Sequence, residues 1–237
     1  LYPHFSLVFV DEAPDLSPCE YALLRRVNAG AAFNVYGDLQ QNVTPWRGVD
    51  DWAKALPGAP VYRLDQNYRN TNQIVEFVRG YIDADMRAIG FDGAPVARIG
   101  VRDIGAFLKD KKGIRAVIAA EKEIPMLKRS AYNVLSETGE LSKKKINLLT
   151  VYESKGLEFA AVAVYDEGMS GNERYIAFTR ALDFLAVVSP APAKEKPAAG
   201  RRGRKPGSKK KTEKTAQRKT AGRRAKPRPE KDKEGGI

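Results

Sequence analysis

Short, mostly apolar runs alternate with helical patterns through the first 190 residues. The runs are residues 6–10, 33–36, 114–119, 146–151, 160–165 and 184–188. Each has the length of a strand, and the later ones are dense in Val, Ile, Leu and Ala. A strand that is apolar at successive positions must be covered on both faces, as in a parallel sheet between helix layers. Residues 17–27 predict a helix, with Ser17 as N-cap and Glu20 three residues on. Residues 72–82 place Ile74, Val75, Phe77, Val78, Tyr81 and Ile82 at helical spacing. The expected class is α/β, and no internal repeat is visible.

Charge is divided unevenly. The chain has 41 Lys/Arg and 29 Asp/Glu, for a net charge of +12. Residues 194–237 hold 18 and 5 of these, net +13, which leaves 23 and 24 in residues 1–193, net −1. A near-neutral body thus carries a basic tail rich in Pro, Gly, Ala, Lys and Arg. Such a tail buries too little apolar surface to offset the entropy of ordering, so residues 191–237 are expected to be disordered. Blocks such as Arg201-Arg202-Gly203-Arg204-Lys205 suit nucleic-acid binding, a localisation signal or plain solubilisation, and composition does not separate these. Cys19 is the only cysteine and His4 the only histidine. An internal disulfide and a His/Cys zinc site are thereby excluded, and a reducing compartment fits. No run approaches eighteen apolar residues, so no membrane partner is expected, and the start lacks the features of a signal peptide. The chain begins at Leu1, directly before an apolar stretch, and reads as a fragment. Pro57-Gly58-Ala59-Pro60 marks a boundary. It divides the body into a first lobe, 1–60, with too few strands to close a core alone, and a second lobe, 61–190.

Five segments carry chemistry. Val8-Phe9-Val10 runs into Asp11-Glu12, the arrangement in which P-loop NTPases hold Mg2+ with an Asp while the neighbouring Glu acts on water. Val35-Tyr36 runs into Gly37-Asp38-Leu39-Gln40-Gln41, where a Gln beyond a strand can bond both a phosphate and a water. Asn67-Tyr68-Arg69 sets a cation beside an aromatic ring, a phosphate clamp next to a stacking face. Residues 149–159 contain Lys155-Gly156 in a turn between strands, where backbone can approach a phosphate closely. Residues 175–181 have the spacing of a helix that presents Arg180 on one face. Each has a plainer reading as well: a capped strand end, a turn, or a surface arginine.

In this order the five segments resemble motifs II to VI of UvrD/Rep-type superfamily 1 helicases. The family patterns are DEAQD, GDxxQ followed by an aromatic-Arg-Gly, NYR, TxHxxKGLEF and YVAxTRA. This chain has DEAPD at 11–15, GDLQQ at 37–41 with Trp46-Arg47-Gly48, NYR at 67–69, TVYESKGLEF at 150–159 and YIAFTRA at 175–181. The resemblance covers nearly all of the body and none of the tail. It implies RecA-like P-loop NTPase lobes with parallel sheets, a partial first lobe and a complete second one. It implies ATP and Mg2+ as cofactors, with Asp11 on the metal, Glu12 as catalytic base and Gln41 at the γ-phosphate. Arg69 and Arg180 become arginine fingers, and Tyr68 stacks on adenine. Lys155, Gly156 and Glu158 face phosphate and ribose. Trp46, Arg47, Thr150 and Tyr152 fall to the nucleic-acid strand.

The implied function is an ATP-dependent DNA helicase or translocase moving on single-stranded or partly duplex DNA, with RNA polymerase or repair proteins as further partners and a cytoplasmic, nucleoid-associated location. The alternatives are a family ATPase that remodels nucleoprotein or RNA polymerase complexes without unwinding, and a nucleic-acid-binding module without ATPase activity. Two departures bear on this choice. Pro14 stands where the family has Gln, and Tyr152 where it usually has His. The chain also contains no Gly-Lys dipeptide, hence no G-x-x-x-x-G-K-[ST] loop. The family places that loop upstream of DEAQD. The fragment alone is therefore expected not to hydrolyse ATP. Val8, Val10 and Val35 are expected to be poorly covered, residues 1–60 only marginally stable, and Arg69 and Arg180 to face an empty site as two like charges with no phosphate between them.

Overall fold

The structure, a computed structural model, describes residues 4–44, 47–81 and 86–190. Trp46 and the basic tail lie outside the described residues. The described elements all belong to one compact unit.

The chain opens with a small sheet. β1 (Leu7–Val10) and β2 (Ala32–Val35) run parallel, with Leu7 beside Ala32 and Val10 beside Val35, and α1 (Pro18–Val27) crosses between them. The start of α1 is a complete capping box. Glu20 N donates to Ser17 Oγ (3.2 Å) and Ser17 N donates to Glu20 Oε2 (2.7 Å). Pro18 takes the first helical position, where an N–H would have no partner anyway. A short α2 (Trp52–Ala55) follows, capped by Asp51. Ala13, Tyr21, Val49 and Ala55 form a small core, with Val10 and Val35 packed on it. Tyr21 Oη donates to Ala13 O (2.7 Å), and burial pushes its phenol up to about 12. The opposite face of this sheet is bare, with Phe9 62% exposed and Leu7 and Tyr36 also open. Val8, Val10 and Val35 were expected to be the uncovered residues. Side chains alternate across a strand, so the pleat gives the bare face to Leu7, Phe9 and Tyr36 and half-covers the valines.

A two-residue parallel pair, β3 (Gln66–Asn67) and β4 (Arg87–Ala88), flanks α3 (Asn72–Tyr81). The remaining strands are β5 (Ala97–Gly100), β6 (Arg115–Ala119), β7 (Tyr132–Val134), β8 (Ile146–Thr150), β9 (Phe159–Tyr165) and β10 (Ala181–Ser189). They form one six-stranded parallel sheet in the order β5-β10-β9-β6-β8-β7. The helices between them are α4 (Ile104–Lys109), α5 (Ile124–Leu127), α6 (Leu135–Thr138), α7 (Val151–Ser154) and α8 (Gly171–Thr179).

Both faces of this sheet are covered, as the continuous apolar runs require. Ala116, Ile118, Val162 and Val164 point into a core with Ile74 and Val78 of α3 and Ile176 and Phe178 of α8. Their neighbours Val117, Ala119, Ala161 and Ala163 point the other way, onto Ile104 and Leu108 of α4 and Leu127 of α5. The α/β class with parallel sheets is thus observed. The edge strands β5 and β7 were not anticipated. An edge strand has one neighbour and more water, so it lacks the doubly buried apolar signature; Arg98 in β5 and Asn133 in β7 are examples. Residues 146–151 end as a strand at Thr150. Thr150 and Glu153 form a capping box that turns the chain into α7.

The α1 cap leads to a pH test. Glu20 Oε1 pairs with Arg47 at 2.5 Å, and this bond, aided by the Ser17 amide and hydroxyl, holds the Glu20 carboxyl at about 2 against the usual 4.5. A carboxyl depressed on folding contributes stability above its unfolded value and loses it as pH falls through the folded one. The stability difference between wild type and Glu20→Gln should therefore shrink as pH drops from 4.5 towards 2 in denaturation at each pH. A difference that stays constant would show that the Arg47 contact does not hold in solution.

Candidate nucleotide and nucleic-acid site

The motif residues sit just beyond strand ends. Asp11 and Glu12 follow β1 and are exposed. Glu12 has φ 48° and ψ 36°, the one non-glycine with positive φ among the described residues. Such a conformation is disfavoured for a residue with a Cβ and is held here by Glu12 N donating to Asp11 Oδ1 (2.8 Å). The turn Ala13–Asp15 follows. β2 leads to Asp38, whose Oδ1 accepts from Gln40 N (2.9 Å) and caps the turn Leu39–Gln41. The two turns lock together through Pro14 and Gly37. A Cβ on Gly37 would lie 2.3 Å from Pro14 Cδ, so only glycine fits beneath the proline ring.

Lys155, Tyr175 and Arg180 reach these turns from the large sheet. Lys155, at the end of α7, is only 9% exposed; its Nζ lies 2.7 Å from Asp15 Oδ2, 3.0 Å from Gln41 O and 3.3 Å from Glu12 Oε2. Tyr175 Oη donates to Asp38 Oδ2 (2.7 Å), and burial together with the Asp38 charge pushes its phenol above the usual value. Arg180 closes α8 and is 4% exposed. Its Nε donates to Ile176 O (3.1 Å), its Nη1 to Leu157 O (3.4 Å), and its Nη2 to Thr179 Oγ1 (3.3 Å) and, at the 3.5 Å limit, to Gln41 Oε1. Burial and then the neighbouring Arg69 lower its affinity for a proton, while Glu158 and Glu12 act the other way.

The two arginines, expected as like charges facing an empty site, both have protein partners. Glu158 Oε1 sits 2.8 Å from Arg69 Nη1, and carbonyls surround Arg180. Gly156 has φ 75° with open space where a Cβ would stand, so it is required for its backbone conformation and not by crowding. Tyr68 and Tyr152 project their rings outward at 75% and 71% exposure. Thr150 commits its hydroxyl to Glu153, accepting from its amide (3.1 Å) and donating to its carboxylate (3.0 Å). Arg47 is engaged with Glu20.

Sequence reasoning missed Asn70. It is 1% exposed, and its Nδ2 donates to Thr179 O (3.0 Å) and Ala181 O (2.6 Å), the two carbonyls that bracket Arg180. Its Oδ1 accepts from Asn67 Nδ2 (2.8 Å), and Asn67 Oδ1 accepts from Arg69 N and Asn70 N. One asparagine therefore ties the Arg69 turn to the Arg180 backbone. The partners lie 109 and 111 residues away, and no local pattern reveals such a pairing.

No family model matches the chain. DNA helicase II of Escherichia coli K12 is 29% identical over 106 residues, 39% of this chain and 15% of that protein. ATP-dependent DNA helicase PcrA of Bacillus subtilis is 34% identical over 77 residues, 30% of this chain and 10% of that protein. Over these stretches the chain is similar to two UvrD/Rep-type superfamily 1 helicases. It corresponds to about one-seventh of the length of DNA helicase II. Among solved structures, the C-terminal domain of a possible DNA helicase from Lactobacillus plantarum WCFS1 aligns with 52% of the chain and 87% of its own, at 20% identity and a TM-score of 0.42. An arterivirus helicase in complex with DNA aligns with 80% of the chain and 41% of its own, at 18% identity and a TM-score of 0.49.

Replacing Asn70 removes the side-chain donor from two carbonyls, Thr179 O and Ala181 O. Asn70→Ala should destabilise the chain by about 1–3 kcal/mol, the cost of stranding buried acceptors, in urea unfolding. A midpoint within error of wild type would mean that the carbonyls find other donors.

Proposed function

We propose that this chain is part of an ATP-driven motor that moves on single-stranded DNA. Residues 1–60 are its share of the first RecA-like lobe, 61–190 the second lobe, and 191–237 a basic extension. What supports this most is the meeting of Glu12, Gln41, Lys155 and Arg180, which come from four motifs up to 168 residues apart yet join in one bonded cluster. A motor needs such a cluster where two lobes meet, because its charges must change with their closure.

The donor set fits Mg2+–ATP. Among the described residues no group of three or more His, Cys, Asp or Glu could cage a metal. Mg2+ needs none, since one or two carboxylates and the phosphates complete its octahedron. Asp11 and Glu12 are open at the strand end, and Asp15 Oδ1 is buried with no hydrogen-bond partner, a spare acceptor beside them. When bound, Mg2+–ATP supplies the transferable phosphoryl group and neutralises charge on it. In this reading Asp11 holds the metal, Glu12 orients and deprotonates water, and Gln41 bonds the terminal phosphate. Arg69, now paired with Glu158, and Arg180 would steady the developing charge on the phosphates. Tyr68 offers its exposed ring to adenine, and Gly156 and Glu158 border phosphate and ribose. Lys155 holds the carboxylates and the Gln41 backbone together across the cleft. Trp46, Arg47, Thr150 and the exposed Tyr152 ring serve the DNA strand.

Pro14 favours a second reading, a family ATPase that remodels nucleoprotein without unwinding. Its ring is buried against Gly37 and its carbonyl accepts from Val49 N (2.8 Å), so this departure is built into the packing. Strand separation by the native protein that contains this chain distinguishes the two. For both readings, Glu12→Gln in that protein should lower DNA-stimulated ATP hydrolysis by about 10²-fold or more while nucleotide binding persists, the loss expected when a general base is removed. Turnover within a few-fold of wild type overturns the assignment.

A further inference from the structure

The proposed motor leaves a group of lysines unused, and the fold gathers them at one end of the large sheet. α4 and its loop lead into β6, and residues 139–145 lead into β8. These strands are neighbours, with Ala116 beside Asn147, so both loops leave the sheet at the same edge. The first brings Lys109 and Lys112, the second Lys143, Lys144 and Lys145. All five are exposed, and among the described residues none is in an ion pair. Across 109–112 and 139–145 the carboxylates are two, Asp110 and Glu140.

The loops are held in place. Arg115 donates from Nη1 to Lys109 O (3.2 Å) and from Nη2 to Lys144 O (2.5 Å), which staples the two together. Asn147 is fully buried in β8, and its amide bonds Ser142 in both directions, Nδ2 to Ser142 O (3.0 Å) and Ser142 N to Oδ1 (2.8 Å). Ser142 Oγ in turn accepts from Lys144 N (3.3 Å) and Lys145 N (2.9 Å). Like charges inside a Debye length, about 10 Å at 0.1 M salt, repel each other. A body whose net charge is near zero thus keeps an unbalanced cationic edge on a braced backbone.

We propose that this edge is a second nucleic-acid contact that grips the phosphate backbone without reading sequence. Phosphate asks for charge and donors and nothing else, and lysine supplies both. A protein partner fits less well. Lysine is depleted in protein interfaces, which centre on aromatic and apolar anchors. No large apolar side chain is exposed in residues 109–115 or 139–147. The edge is also separate from Thr150 and Tyr152, which lie at the other end of β8 and in the helix after it, about 15 Å along a five-residue strand.

Lysine acetylation footprinting on the full chain, with and without a random-sequence DNA duplex or single strand, tests this. Lys109, Lys112 and Lys143–145 should be protected several-fold by one or both DNAs. Lys54 and Lys128, held by Asp50 and Glu137, should label equally in both conditions. The readout is resolved by residue, so binding by residues 194–237 does not mask it. Combining Lys143→Glu, Lys144→Glu and Lys145→Glu should also reduce the slope of log affinity against log salt by about 0.9 for each duplex phosphate that the edge no longer neutralises. Equal labelling of the five lysines with and without DNA, or an unchanged slope, overturns the proposal. Protection by polyglutamate equal to that by DNA overturns it in favour of an acidic protein. Glu12 and Arg180 are untouched, so either failure leaves the ATPase reading standing.

Discussion

A parallel strand covered on both faces has room for polar chemistry only at its ends. Ala116 to Ala119 and Ala161 to Val164 have no exposure at all, and each successive side chain belongs to one of two cores. Every group that could act on a nucleotide is therefore pushed past a strand terminus. Asp11 and Asp38 follow strands of the small sheet, Thr150 is the last residue of β8, and Glu158 and Arg180 precede β9 and β10. The five lysines obey the same rule before β6 and β8. Asn147, the polar exception inside a strand, persists because both sides of its amide are hydrogen-bonded.

Strand ends alone do not assemble a site, because they belong to two sheets. Assembly depends on groups that reach between them. Lys155, whose side chain is largely covered, is tolerable there because two carboxylates and a carbonyl receive its ammonium. Tyr175 spans to Asp38, and Asn172 Nδ2 donates to Asn42 O (2.9 Å). Nearly all of these bonds end on the two turns that Pro14 and Gly37 lock together. The departure from the family at Pro14 thus falls on the part of the small sheet that the large sheet holds most closely. Asn70 plays the matching part within the large sheet, joining the turn that carries Arg69 to the backbone that carries Arg180.

The bare face of the small sheet contrasts with this. Leu7, Phe9 and Tyr36 are open on the side away from Ala13 and Tyr21, while the side facing the core is closed. Two strands suffice to present Asp11 and Asp38, but they leave one apolar surface without a second layer.

The sequence by itself determined the class, the central strands, the long helices α1 and α3 and the identity of the motif segments. These depend on near neighbours: continuous apolar runs, helical spacing, and a Ser17–Glu20 cap whose two halves are three residues apart. The capping box that ends β8 early, Thr150 with Glu153, was equally local and could have been read. Edge strands were not legible, since half-solvated backbone tolerates residues such as Arg98 and Asn133. Tertiary structure alone decided which face of β1 is bare, that Glu158 answers Arg69, that Asn70 braces Arg180, and that two lysine loops distant in sequence share an edge. Each of these joins groups that a linear pattern keeps apart, and they meet only once the parallel crossovers have set the order of the strands.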